Sequence, residues 1–184
     1  MKGYDYSQLG LYFITICCQD RACLIGEMID CKMMLNVAGH IVDCEWLNTD
    51  KIRENCRLHE FILMPNHIHG IIEITFNKLN KDATGKFQSP SHSTGSFIIG
   101  FKITTIKKIK DIINNSSSTG ELAFAPTGIF TSIDKIKNLN FKIWQRNHIH
   151  GIIENEQSYQ IISTHSIKNP IKWVCDKFYK PKKK

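Results

Sequence analysis

MPNHIHGIIE, residues 64–73, places two histidines one residue apart at the head of an apolar run. Side chains of a strand alternate between its faces, so His67 and His69 project together while Ile68 points the other way into a core. Two imidazoles presented side by side form a seat for a metal ion. Pro65 and Asn66 read as a turn, with strands over 58–64 and 67–76, so a hairpin carries the pair at the start of its second strand. Spacing alone leaves a second reading open, because a His-x-His pair also arises as two hydrogen-bonded histidines with no ligand.

Working outward, 11–18 (LYFITICC) is rich in β-branched and aromatic residues and reads as a central strand. Asn36 is a helix cap, followed at helical spacing by Val37, Ile41, Cys44 and Leu47. Residues 97–113 predict a second helix, with Ile99, Ile103, Ile106, Ile109 and Ile113 on one face and Lys102, Lys107, Lys108 and Lys110 around the rest. A last strand falls within 141–154. A helix over 156–168 ends at Asn169 and Pro170, and 171–179 forms one more helical piece. Residues 77–96 and 114–140, rich in Ser, Thr, Gly and Lys or in turn clusters, read as flexible insertions, and 180–184 as a basic tail. The order β-α-β-β-α-β followed by a helix is that of an α+β, ferredoxin-like antiparallel sheet, with the first and third strands in the middle.

The 184 residues suffice for one domain. No apolar run reaches the roughly 20 residues of a membrane span, and the amino terminus lacks the pattern of a signal peptide, so a cytoplasmic location is expected. Seven cysteines without a C-x-x-C pair predict reduced, mostly buried thiols. A formal charge of +7 and a pI near 9.0 favour a polyanionic partner.

In the same order as in a known family come GLYFITICCQDR (10–21), LIGEM (24–28), MMLNVAGHIVDCEW (33–46), FILMPNHIHGIIEI (61–74), GSFIIGFKITTIKKIKDI (95–112), IWQRN (143–147) and IKNPIKW (167–173). Together they resemble the REP-associated tyrosine transposases of the single-tyrosine HUH superfamily. The resemblance implies a ferredoxin-like sheet, a divalent metal, Mg²⁺ or Mn²⁺, on the histidine pair, and cleavage and rejoining of single-stranded, hairpin-forming DNA through a phosphotyrosine. It also implies a third ligand on the last helix, at Asn169, and a nucleophilic tyrosine four residues earlier. Phosphate contacts are expected from Lys102, Lys107, Lys108, Arg146 and the tail lysines Lys182, Lys183 and Lys184. Trp144 is a candidate for stacking on a base. A homodimer is compatible with it, as is a last helix that serves a partner subunit.

Two features depart from the family. The tyrosine position holds His165. The chain is then an inactivated member that still binds DNA and metal, or it uses Tyr159, or His165 acts as base, ligand or nucleophile. Tyr159 lies six residues before His165, about 240° around an ideal helix, and is expected to face away. Second, residues 147–154 read NHIHGIIE, identical to 66–73. Separated from the third strand by the first, this copy lies about 10 Å from the first pair and cannot join its coordination sphere. The copy reads as a duplication or drift with no separate site at His148 and His150. The non-enzyme rival is a protein that binds hairpin repeats without cutting. A ferredoxin-like RNA-binding domain is weakened by the absence of its KGFGFVxF pattern.

Overall fold

A computed structural model describes residues 8–76, 93–119 and 127–173. Strand β1 (Gly10–Cys17) leads to a small hairpin of β2 (Gly26–Ile29) and β3 (Lys32–Leu35), then to α1 (Val37–Leu47) and the short α2 (Thr49–Ile52). Next come β4 (Cys56–Met64), β5 (His67–Ile74), α3 (Thr94–Thr119), α4 (Thr127–Asn138), β6 (Ile149–Ile153) and α5 (Glu156–Lys168). Local chemistry accounts for the helix starts. Asn36 caps α1 by accepting from Gly39 N–H at 2.9 Å, and Asn155 caps α5 by accepting from Ser158 N–H at 2.8 Å.

The main sheet has the order β4-β5-β1-β6, and each neighbouring pair is antiparallel. With β2 and β3 set aside as a separate hairpin, this is the ferredoxin-like arrangement expected, with the histidine-bearing β5 and β1 in the middle. Directly paired residues share a face. One face carries Tyr12, Ile14 and Ile16 beside Ile68, Gly70 and Ile72, and α1 and α3 pack on it. The other carries Thr15 and Cys17 beside His67 and His69, and α5 lies across it.

Trp46 of α1 organises the first face. Its indole meets the rings of Phe61, Phe97 and Phe101 at 5.9, 5.4 and 5.5 Å and rests on Gly70. This packing corrects two expected helix faces. Helix α1 turns Ala38, Val42, Glu45 and Trp46 inward and leaves Cys44 and Leu47 exposed, because the largest side chain takes the slot over the glycine. Helix α3 buries Phe97, Ile98, Phe101, Thr105, Ile109 and Ile113, while Ile99 and Ile103 are 60% and 62% exposed. Aromatic contact with Trp46 sets the rotation of its first turns, and the isoleucine spacing does not.

The expected irregular region 114–140 is also corrected. Helix α3 continues to Thr119, and α4 buries Ile133 and Ile136 beside Val37, Ala38, Ile109 and Ile113. Strand β6 is shorter than the 141–154 pattern, with Trp144 joined to Cys18 only by an isolated bridge. Of the insertion expected at 77–96, residues 77–92 lie outside the described residues, as do 174–184 with the basic tail, while 94–96 open α3. Cys17, Cys18 and Cys56 are buried thiols outside any disulfide, Cys31 and Cys44 are exposed, and burial pushes the Cys18 thiol well above its ordinary range.

The glycines of the two identical octapeptides separate in this fold. A Cβ on Gly70 would lie 2.3 Å from the Trp46 indole, whereas one on Gly151 meets nothing within 4 Å. Gly70→Ala is expected to lower unfolding stability by about 1–3 kcal/mol through overpacking. Gly151→Ala should change it by less than about 0.5 kcal/mol, both read by denaturant unfolding.

Candidate functional site

The turn at Pro65 and Asn66 delivers His67 and His69 onto β5 with their rings 4.4 Å apart, centroid to centroid. Both are buried, at 0% and 6% exposure. Phe13 stacks on His69 at 5.3 Å, and Trp173 lies over His67 at 6.2 Å. Each Nδ1 has a partner. His67 Nδ1 is 2.8 Å from Asn66 Oδ1, and His69 Nδ1 is 2.7 Å from Thr15 Oγ1. Asn66 Nδ2 donates to the Arg21 carbonyl at 3.1 Å, which fixes the amide so that Oδ1 faces the imidazole. An acceptor there requires Nδ1 to carry the proton, so His67 offers the lone pair of Nε2. This is the arrangement by which outer hydrogen bonds orient a metal-binding imidazole.

Helix α5 brings the remaining candidates. Asn169, its C-cap, is 2% exposed, four residues before the tryptophan that covers His67. Its Nδ2 is buried without a hydrogen-bond partner among the described residues. Its amide oxygen is of the neutral donor type that hard divalent ions take. Among the described residues no three His, Cys, Asp or Glu side chains gather into a metal-holding group.

His165 does not share Asn169's environment. It is exposed, beside Ile161, Thr164 and Lys168 on the outer side of the helix. Residues four apart differ by about 40° on an ideal helix, and the buried edge of α5 falls between these two. The inner stripe is Ser163, Ser166, Asn169 and Trp173, with Tyr159 at its start. The expectation that Tyr159 faces away is therefore corrected: small serines let α5 settle with that side against the sheet.

Tyr159 meets a group that sequence reasoning missed. A register shift in β4 between Leu58 and Phe61 sets His59 and Glu60 opposite Ile71. The Tyr159 hydroxyl donates to Glu60 Oε2 at 2.5 Å and lies 3.3 Å from His59 Nδ1, while His59 Nε2 is 3.0 Å from Glu73 Oε2. Bulges re-aim side chains in this way, and periodicity gives no sign of them. The hydrogen bond to Glu60 raises the Tyr159 phenol to about 12 and lowers the Glu60 carboxyl. Ile71 is two residues along β5 from His69, roughly 7 Å of strand.

The second NHIHGIIE differs in register. Gly70 pairs with Ile14, but Gly151 pairs with Phe13, so His150 sits opposite Ile14. A slip of one residue sends every side chain to the other face. His150 thus belongs to the face opposite His69, with the His148 ring 5.0 Å away. Burial first, then His150 and Lys102, lower His148 to about 4, and burial likewise lowers His150.

The predicted phosphate contacts scatter. Lys102 Nζ donates to the carbonyls of Gln145, Arg146 and Asn147 at 2.7, 3.1 and 3.4 Å, and Lys108 is paired with the buried Glu45. Lys107 and Arg146 are exposed, and Trp144 is buried with Nε1–H on Thr105. Lys182, Lys183 and Lys184 lie outside the described residues. Because α3 packs on the face opposite His67 and His69, its lysines do not line the histidine pair.

No family model matches the chain. A protein of Haemophilus influenzae described as uncharacterized is 34% identical over 179 residues, 97% of this chain and 90% of that protein. The two belong to one family. Among solved structures, the REP-associated tyrosine transposase bound to a REP hairpin aligns over 96% of this chain and 77% of its own, with a TM-score of 0.53 and 15% identity. That likeness is one of fold: this family has a transposase-like ferredoxin sheet. No helix among the described residues is long and apolar enough to cross a membrane.

The Tyr159–Glu60 bond has a defined pH signature. A phenol raised from 10.0 to about 12 adds stability fully below pH 10 and loses it as pH climbs through 12. The lowered carboxyl adds stability above its ordinary range and loses it as acid protonates it. Phenolate absorbance should show one tyrosine titrating near 12, and Glu60→Gln should return it toward 10.

Proposed function

We propose that this chain is a transposase-like protein that engages hairpin-forming single-stranded DNA over the α5-covered face and nicks and rejoins it at His67 and His69 with a bound Mg²⁺ or Mn²⁺. The carrying observation is the buried histidine pair on a central strand, its rings oriented through Nδ1, in a chain with the fold of a hairpin-binding transposase. His67, His69 and Asn169 would hold the ion. When bound, it offsets the charge that develops on the non-bridging phosphate oxygens. Asn66 and Thr15 keep the two imidazoles aimed. Trp173 and Phe13 shield them from water on either side. Lys168 and Lys172, exposed on either side of Asn169, take over the phosphate contacts first assigned to α3.

A second reading, binding without cleavage, is favoured by one observation. The described tyrosines are both engaged elsewhere: Tyr12 donates to the Gln8 carbonyl from the opposite face, and Tyr159 is bound to Glu60. His165 stands at the solvent edge of α5 in place of the tyrosine that the resemblance implies.

Labelled hairpin DNA incubated with the protein and Mn²⁺ separates the two. Cutting or a covalent adduct that disappears in His67→Ala supports the nicking reading. Binding without either product in the natural chain, with an adduct gained in His165→Tyr, supports the second. Absence of any DNA binding would defeat both. Manganese affinity should fall about 10–100-fold in Asn66→Ala, which frees His67 Nδ1. Unchanged manganese binding in the double variant His67→Ala, His69→Ala would remove the metal from the proposal. Lys168→Glu with Lys172→Glu should weaken DNA binding and flatten its salt dependence more than Lys107→Glu does.

A further inference from the structure

The geometry points to a second metal site, at His148 and His150 on the opposite face of the sheet, taking a borderline transition ion such as Zn²⁺, Ni²⁺ or Cu²⁺. It does not depend on the DNA reading. The two rings lie 5.0 Å apart with 37° between their planes, close to the 4.4 Å of the first pair. One residue separates them, so a chelate closes through a short, already extended piece of chain. His150 is fixed on β6 by its pairing with Ile14, and β6 is one of the two edge strands of the sheet. Both side chains are half-buried, and because His150 Nδ1 is itself buried, His150 would bind an ion through Nε2.

The segment that carries His148 is held in place. Lys102 Nζ donates to the carbonyls of the three residues just before it, Gln145, Arg146 and Asn147. This tether limits the freedom that a ligand on a loose loop would lose on binding. The same ammonium sets the kind of ion. A nearby positive charge weakens any cation held mainly by electrostatics, so Mg²⁺ and Ca²⁺, which need oxygen ligands, are disfavoured. Ions that bond strongly to imidazole nitrogen remain, with Cu²⁺ expected to bind tightest.

The two pairs are chemically distinguishable despite identical sequence. Asn66 is buried and locks His67 through Nδ1, whereas its counterpart Asn147 is exposed. The first pair is enclosed beneath Trp173, and the second opens at the sheet edge. They also occupy opposite faces, so one ion cannot bridge them.

Equilibrium dialysis of the full chain with Zn²⁺ and with Ni²⁺ tests the assignment. The variant His67→Gln, His69→Gln should keep one transition-ion equivalent, and His148→Gln, His150→Gln should have one fewer than the natural chain. Mg²⁺ in large excess should not displace the ion from the second pair. In the natural chain, substoichiometric Cu²⁺ should broaden the ring proton resonances of His148 and His150 together, a readout that does not depend on a variant folding. Equal stoichiometry in the natural chain and in His148→Gln, His150→Gln would overturn the proposal. So would broadening confined to the isolated, exposed His40 and His165, or loss of all binding with the first pair alone.

Discussion

Registration on β1 is the constraint from which the rest of the structure follows. That strand is paired on both sides, and Thr15 stands between His69 on one neighbour and Ile149 on the other. The β5 register turns His67 and His69 toward α5 and Ile68, Gly70 and Ile72 toward α1 and α3. Moving it by one residue would turn both imidazoles toward Trp46 and the isoleucines toward α5. The β6 register takes that step. Eight identical residues therefore give an enclosed pair on one face and an open pair on the other.

The α5-covered face has two chemical halves. At one end His67, covered by Trp173, and His69 have amide and hydroxyl partners on their ring nitrogens. At the other, Glu73, His59, Tyr159 and Glu60 form a continuous hydrogen-bonded chain between β4, β5 and α5. Helix α5 is thus anchored near both ends, by polar bonds at its start and by aromatic cover just past its end. Ser163 and Ser166 between them are small and buried, which lets the helix lie close to the sheet. The anchoring holds the Tyr159 hydroxyl on Glu60 and His59.

On the opposite face apolar burial carries most of the cohesion, with one charged exception. Glu45 is buried beside Trp46 and paired with Lys108 of α3, whose own side chain is largely exposed. A carboxylate in that position is tolerable only with its partner. The pair therefore fixes the approach of α1 to α3, and it takes one lysine of the basic helix out of consideration for nucleic acid.

Sequence by itself determined the alternation of His67 and His69, the cap at Asn36, the limits of α5 and the ferredoxin-like order, because each rests on contacts within a few residues or on a period of two. It also carried the resemblance, of which the implied fold is shared with the solved transposase. Tertiary structure decided which side of each helix turned inward. Trp46 over Gly70 outweighed the isoleucine spacing of α3, and the serine stripe of α5 brought Tyr159 to the sheet while His165 remained outside. The bulge that aims His59 and Glu60, and the one-residue slip that reverses His150, leave no local mark at all. Register is a property of two strands together, and no reading of one strand contains it.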